Sequence, residues 1–473
     1  MKKNGYHIFS YAASNKAAKA FLLLALSYLL IGLLFGVLGG MQYILPDFLK
    51  DRLSFQKTRP LHVYLVISWI FTAAQAGIYY YLPVVSKRSI YWPNGIWLHF
   101  AMQCINSLII ITGFFAGYFG GREYLEFPPL LGAFIFLSWI PFAINFFATL
   151  KPNYKTAPVY VWMWSTGILF FFITLSESYL WLFDFFRNNI VRDITVQWKA
   201  LGSMVGSWNM LVYGTGIYIM EQMSGNEKTA RSPLSFFFYF LGLTNLMFNW
   251  GHHTYIVPAA PWVKTVAYSI SMTELLLFGY IIIQWKKTLT VARKNYHELP
   301  YRFLSFADIW IFLNLALAII ISVPAWNSFT HGTHVTVAHA MGATIGINTM
   351  LLMASVFFIM KKENAFAFQQ HKKWISRGSY ITNISLLLFW SSLLASGIIK
   401  ISGIQHNETF YYIMQKSQPY FQMFAYSGVF IFLGLGILIV TSYKIAARKR
   451  HPDPVIVSNP IAVSTATIID ING

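Results

Sequence analysis

The sequence predicts an all-α polytopic membrane protein, and three observations predict it. Of the 473 residues, 56% are hydrophobic and only 11% charged. Apolar stretches of about 20 residues, enough to cross a bilayer core, recur along the whole chain. Lys and Arg gather in alternate connections, as in loops held on the cytoplasmic side of a membrane.

About twelve spans are expected. The first, 20–44, is too richly followed by others to be a cleaved signal ahead of a soluble protein. The second, 61–83, opens just before His62. The third, 94–119, carries His99 and the single cysteine, Cys104. The fourth is 129–150, and the fifth, 158–183, carries Glu177. The sixth is 198–221. The seventh, 234–257, ends on His252 and His253, and the eighth, 263–285, carries Glu274. The ninth is 304–326. The tenth, 335–360, carries His339 and Met341. The eleventh and twelfth are 378–403 and 420–446. Together these form one membrane domain, 1–450, with 451–473 expected as a disordered cytoplasmic tail.

Basic residues mark every second connection: Lys87 and Arg88, Lys151 and Lys155, Lys228 and Arg231, then Lys286 to Arg302, Lys361 to Arg377, and the last span's KIAARKRH. Both termini are therefore expected in the cytoplasm. The formal net charge of +19 follows largely from this bias and from contact with anionic lipid, not from a nucleic-acid partner. One cysteine allows no intrachain disulfide and no iron–sulfur or copper cluster. No C-x-x-C-H motif attaches a c-type haem. If electrons move here, another chain must deliver them. No Walker or Rossmann glycine pattern is present, and there is no internal repeat.

Of twelve histidines, four lie at membrane depth: His62, His252, His253 and His339. With both termini inside, all four fall in the outer half of the membrane. A lone intramembrane histidine is usually a hydrogen-bonded packing residue. Four in one layer, two of them adjacent, point to metal or haem. His339 and Met341, in HGTHVTVAHAMGA, leave their helix roughly 200° apart. They cannot share one metal but could serve two haems on opposite faces. Spacing alone favours an apolar filler over a ligand at Met341.

These segments resemble a known family, the large haem-bearing subunit of cytochrome c-dependent nitric oxide reductase in the haem–copper oxidase superfamily. GLLFGVLGGMQYILPDFL, TRPLH, GREYLEFP, GHHTYIVPAAP and HGTHVTVAHAMGA carry the resemblance, in that order, over nearly the whole chain. It implies a twelve-helix haem–copper oxidase-type bundle in a bacterial inner membrane. It implies two haems, b-type, a non-haem iron or copper, and a calcium ion. It also implies a membrane-anchored c-type cytochrome partner and a gas substrate, NO or O2.

Residue by residue, His62 resembles an axial ligand of the low-spin haem, and Arg59 an arginine on haem propionates. Glu123, with Glu126 beside it, resembles a calcium-holding glutamate. His252 and His253 resemble ligands of the non-haem metal, His339 the proximal ligand of the high-spin haem, and Glu274 an acid delivering protons.

Two departures alter the expectation. The family's second helix 10 histidine is Met341 here, giving expected His62/Met341 ligation of the low-spin haem. On helix 6, WKALGSMVGSWNMLVYGTG, the third metal histidine is replaced by Leu201. The glutamates that follow it are replaced by Val205 and Asn209. Two histidines alone make a weak site for iron(II), and copper(I) or an empty position is expected instead. The helix 6 tyrosine usual in oxygen-reducing members is also absent, and no chain of polar residues through the cytoplasmic halves stands out. The expected function is NO reduction or an altered reaction such as NO dismutation. The alternative is a degenerate haem-binding electron-transfer, sensing or assembly subunit without turnover. A transporter is disfavoured, because the broken helices and inverted repeats of that class are not evident.

Overall fold

A computed structural model describes residues 3–270 and 273–448, with side chains over 14–270 and 276–448. The expected tail, 451–473, lies outside the described residues. So does the side chain of Glu274.

The described chain is a bundle of helices, as a lipid environment requires. A backbone that meets no water must satisfy its own N–H and C=O groups, and a helix does so within one segment. In order these are α1 (Lys3–Met41), α2 (Phe55–Ser86), α3 (Pro93–Ala116), α4 (Pro129–Leu150) and α5 (Val159–Glu177). A short α6 (Asp184–Arg187) leads into α7 (Ile190–Ser224), α8 (Pro233–Phe248), α9 (Pro261–Ile270) and α10 (Thr273–Thr288). Then come α11 (Val291–Tyr296), α12 (Glu298–Ser322), α13 (Pro324–Thr330), α14 (His334–Met341), α15 (Met350–Glu363), α16 (Ala365–Gln405) and α17 (Phe410–Ala447).

Among the described residues, nine helical segments are long and apolar enough to cross a membrane. The three other expected intervals are filled by α7, by α8 with the turn after it, and by α9 with α10.

Two departures from regular helix bear on the site. α8 ends in a 3-10 turn, Asn249–Thr254, that carries both His252 and His253. α14 passes into α15 through a π-helical segment, Gly342–Thr349. π segments are rare and often lie at functional sites. Neither is legible in the sequence, because hydropathy does not distinguish one helical hydrogen-bond register from another.

α2 lies at the centre and packs on α1, α4, α7 and α15. It runs in the same direction as the π segment and α15, as three hydrogen bonds show. Trp69 Nε1 donates to Thr349 Oγ1 at 3.2 Å, Tyr81 OH lies 2.7 Å from Ser355 Oγ, and Tyr80 OH donates to Glu363 Oε1 at 2.9 Å. At the periphery, α16 and α17 approach almost backbone to backbone. A Cβ added at Gly434 would stand 2.7 Å from the Thr382 nitrogen. Close approach through small residues replaces the hydrophobic driving force that lipid does not supply.

His297, which lies outside the apolar spans, is half-buried between α11 and α12, stacked on Phe358 at 5.8 Å. Burial lowers its pKa to about 4, with Lys361, Arg293 and Lys362 adding positive charge. The imidazole is therefore neutral in the fold at neutral pH. A lowered cationic pKa gives stability that is present above the unfolded value of about 6.5 and lost as pH falls toward 4. Thermal unfolding in detergent between pH 7 and pH 4 is expected to show a smaller acid-induced loss for H297Q than for the unsubstituted chain.

Candidate functional site

His62 stands in α2 against α1. Its Nδ1 lies 2.8 Å from the Gly32 carbonyl. Nδ1–H donates in that contact, so the Nε2 lone pair faces away from α1, the arrangement an axial imidazole needs. The contact depends on glycine, since a Cβ at Gly36 would stand 2.7 Å from Nδ1 and 2.8 Å from Cε1. Gly36→Ala is expected to displace the ring and weaken low-spin haem retention by on the order of 10-fold. Haem content and spin state after purification check this.

Met341 ends α14. It packs beside Leu317, Ile321, Val335, Ala338 and Leu393, in a cluster that also touches Phe424. Phe424 reaches α1 at Gly40, where an added Cβ would be 3.5 Å from its ring. Counting along the parallel elements from the Trp69–Thr349 bond, His62 is seven residues back on α2 and Met341 eight residues back on its own element. At about 1.5 Å per residue along α2 and a smaller rise through the wider π turns, both lie roughly 10 Å from that bond, at a similar level of the bundle.

His339 sits one face over on α14. Its Nδ1 is buried without a hydrogen-bond partner. His252 and His339 lie within electrostatic reach of each other.

His252 and His253 have ring centroids 4.1 Å apart. His252 Nδ1 is 3.1 Å from Asn249 Oδ1, which leaves Nε2 free. His253 is stacked on Trp198 of α7 at 4.3 Å, with the planes 9° apart. The sequence reading missed two members of this group. Trp198 lies one turn before Leu201, and an aromatic there was the available signal. His331, outside the four deep histidines, lies 6.2 Å from His253 and 6.3 Å from Trp198, ring to ring. No signal in the sequence separated it from a loop histidine.

The α7 face opposite this group carries Trp198, Leu201, Val205 and Asn209 within an arc of roughly 80°. Leu201 lines a small cavity with Arg122, Glu123, Tyr179 and Gln197. Val205 is 38% exposed. Asn209 Oδ1 accepts from Asn348 Nδ2 of the π segment at 3.2 Å. Among the described residues, no group of three or more His, Cys, Asp and Glu side chains is arranged to hold a metal ion. The donor set near His252 thus fits a two-histidine centre and falls short of the richer set iron(II) takes.

Arg59 pairs with both acids of GREYLEFP. Its guanidinium lies 2.5 Å from Glu123 Oε1 and 3.0 Å from Glu126 Oε1, with Tyr124 beneath it at 5.7 Å. Burial raises the Glu126 pKa above the ordinary carboxylate value, and Arg59 only partly offsets this. Arg122 pairs with Asp193 at 2.6 Å, and Gln197 Nε2 donates to the Glu123 carbonyl at 3.0 Å. The loop is thereby tied to the start of both α2 and α7. Two carboxylates already shared by one guanidinium do not supply the roughly six to eight oxygens calcium takes, and no step is derived through that ion. Glu177, which had no assigned role, is ion-paired with Lys199 of α7.

The comparisons with known proteins agree with this architecture. A nitric oxide reductase subunit of Stutzerimonas stutzeri is 23% identical over 95% of this chain and 98% of its own length. The cbb3-type cytochrome c oxidase subunit CcoN1 of the same organism is 21% identical over 92% of this chain and 95% of its own. A haem–copper terminal oxidase dimer solved by cryo-electron microscopy superposes with a TM-score of 0.74, covering 93% of this chain and 85% of that one. At 13% identity it speaks to the fold alone. The family described as Cytochrome C and Quinol oxidase polypeptide I matches residues 16–430. That span takes in the His62 helix, the His252–His253 turn and the His339 element, and so the chain belongs to that family, the haem-bearing membrane subunits of the haem–copper oxidoreductases.

Proposed function

We propose that this protein is a membrane haem oxidoreductase that reduces nitric oxide, joining two NO molecules with two electrons and two protons to give N2O and water. The observation that carries this reading is the His252–His253 pair, with rings 4.1 Å apart, and His339 of a separate element within electrostatic reach of it. Its support from relatives is the match to a nitric oxide reductase subunit along nearly the whole chain.

In this reading His62 and Met341 hold a low-spin b-type haem and His339 holds the high-spin one. His252 and His253 hold a non-haem metal, copper(I) suiting two imidazoles better than iron(II). The bound haems and metal supply electron transfer and polarise the NO oxygens. The chain supplies the rest. The Gly32 carbonyl and Asn249 orient the imidazoles at His62 and His252. Trp198 fixes the His253 plane and covers one face of its ring. Arg59 offers positive charge to haem propionates while holding Glu123 and Glu126. Glu274 delivers protons. Electrons come from a membrane-anchored c-type cytochrome, since no c-haem motif lies in this sequence. Both termini face the cytoplasm of a bacterial inner membrane, and 1–450 forms one domain.

A second reading, a degenerate haem-binding electron-transfer, sensing or assembly subunit, is favoured by Leu201 and Val205, which ligate nothing. Haem and metal stoichiometry with NO consumption on one preparation separates the two. Two haems, one further metal and NO-dependent N2O release support the enzyme. Two haems with neither metal nor NO uptake overturn it.

A further inference from the structure

Glu221 lies in α7 near its end at the 225–232 loop and is 7% exposed. Its Oε1 accepts from Tyr160 OH at 3.2 Å, while Oε2 is buried without a hydrogen-bond partner. No cation among the described residues contacts it. From α5 it is faced by Tyr160, and from its own helix by Tyr218 and Gln222. From the loop it is faced by Glu227 and Arg231, which pair with each other. Arg293 sits nearby but donates to the Met223 carbonyl at 3.1 Å. A buried carboxylate is costly and is normally matched to a cation, a metal or a proton. With no cation in contact among the described residues, a proton is the match this side chain can take.

A polar line leads inward from it. The Tyr160 ring is 5.2 Å from that of Tyr218, and Tyr218 is 4.4 Å from Tyr81. Tyr81 OH is 2.7 Å from Ser355 Oγ. Ser355, Tyr81 and Thr215 all crowd the same spot, since a Cβ at Gly77 would meet each of them within 3.7 Å. Asn348, seven residues before Ser355, donates to Asn209 at 3.2 Å, and its own Oδ1 is buried and unpartnered. Asn209 lies one turn from Val205, on the α7 face that reaches Trp198 and His253. Thr215, Tyr218 and Glu221 recur every three residues along α7, and residues so spaced are neighbours on a helix surface. This line was not legible as a path in the sequence, because its members come from five elements: α2, α5, α7, the π segment and α15.

We propose that Glu221 is a proton-uptake site. It takes protons from the side of the 225–232 loop, and Tyr160, Tyr218, Tyr81 and Ser355 pass them inward, toward the Asn348–Asn209 pair and the His252–His339 region. Hydroxyls both accept and donate, so each can hand on a proton and be reset by the next; the stretch of roughly 10 Å between Ser355 and Asn348 would require bridging water. The inference rests on the haem oxidoreductase reading. For each electron that enters from the donor chain, one proton enters at Glu221 and the carboxylate becomes a carboxylic acid. No bond to carbon, nitrogen or metal is made at this residue.

The test is redox-difference infrared spectroscopy of the haem-loaded protein, reduced electrochemically without NO. Reduction is expected to produce a carboxylic acid carbonyl band that shifts in D2O, vanishes in E221Q and moves in Y160F, which keeps the acid but removes its hydrogen bond. Haem spectra of the variants confirm that the sites are intact. A reduction-induced band unchanged in E221Q, or unmoved in Y160F should E221Q fail to assemble, overturns the proposal, as does the absence of any such band in the unsubstituted chain. In NO turnover, E221Q is expected to slow the rate by on the order of 100-fold. The Glu221 band without NO consumption in the unsubstituted chain would sink the NO reading and leave the uptake site standing.

Discussion

If Met341 is the low-spin haem ligand proposed above, Met341→His is expected to lower that haem's midpoint potential and abolish the methionine–iron charge-transfer band. The thioether is a soft, neutral ligand that favours the reduced iron, and a second imidazole favours the oxidised form relative to it. Axial ligands tune haem potentials over roughly 0.8 V, so the drop is expected to be a readily measured fraction of that range. The level of the side chain makes the exchange reasonable, since His62 and Met341 are similarly far from the Trp69–Thr349 bond on parallel elements. The apolar cluster around Met341 keeps water from the site. Met341→Leu is the control. It preserves packing and removes the sulfur, so a ligand role predicts conversion of that haem to high spin. A low-spin spectrum retained in M341L, with no change of potential in M341H, would falsify the ligand role and return Met341 to the status of core filler. Potentiometric titration and near-infrared magnetic circular dichroism decide it.

The contrast between Met341 and Trp198 shows what the sequence could carry. Span positions followed from hydropathy, because lipid imposes one requirement on every stretch of about 20 residues. α1 to α5 and α12 to α17 therefore fall close to the expected intervals. The four deep histidines stood out because an imidazole in an apolar run is rare. Trp198 and Tyr160 did not stand out, since aromatic residues make up 18% of this chain and any one of them reads as core. His331 was hidden for the opposite reason, as a histidine in a polar turn reads as solvated. What brings it to His253 is the turn after α13, where Gly332 adopts φ +72°. The acids of GREYLEFP were visible, but not that one guanidinium would hold both, because that depends on how the loop folds back onto α2. Departures from regular helix at Asn249–Thr254 and Gly342–Thr349 set where the histidines point, and they arise from tertiary packing rather than composition.

Leu201→His combined with Val205→Glu is expected to raise tightly bound non-haem iron from near none to about one per chain. The two positions are four residues apart on α7, so their side chains stack on one face. That face is the one from which Trp198 reaches His253. A histidine one turn beyond Trp198 adds a third imidazole to His252 and His253, and a carboxylate a further turn on adds an oxygen ligand. Space is available, as Leu201 borders a cavity and Val205 is 38% exposed. Leu201→His alone is expected to favour copper or zinc, which accept three imidazoles. The single exchange Val205→Glu should do little but place an unpaired acid near the haem. Metal analysis beside haem content reads all three. If the double variant keeps both haems and gains no metal, the His252–His253 pair is not aimed at α7. The enzyme reading would then have to work with the two histidines alone, and the degenerate reading would gain ground. If the metal appears and NO consumption rises with it, the natural chain's low ligand count is what limits it, and Leu201 marks the point at which this protein departs from its nitric oxide-reducing relatives.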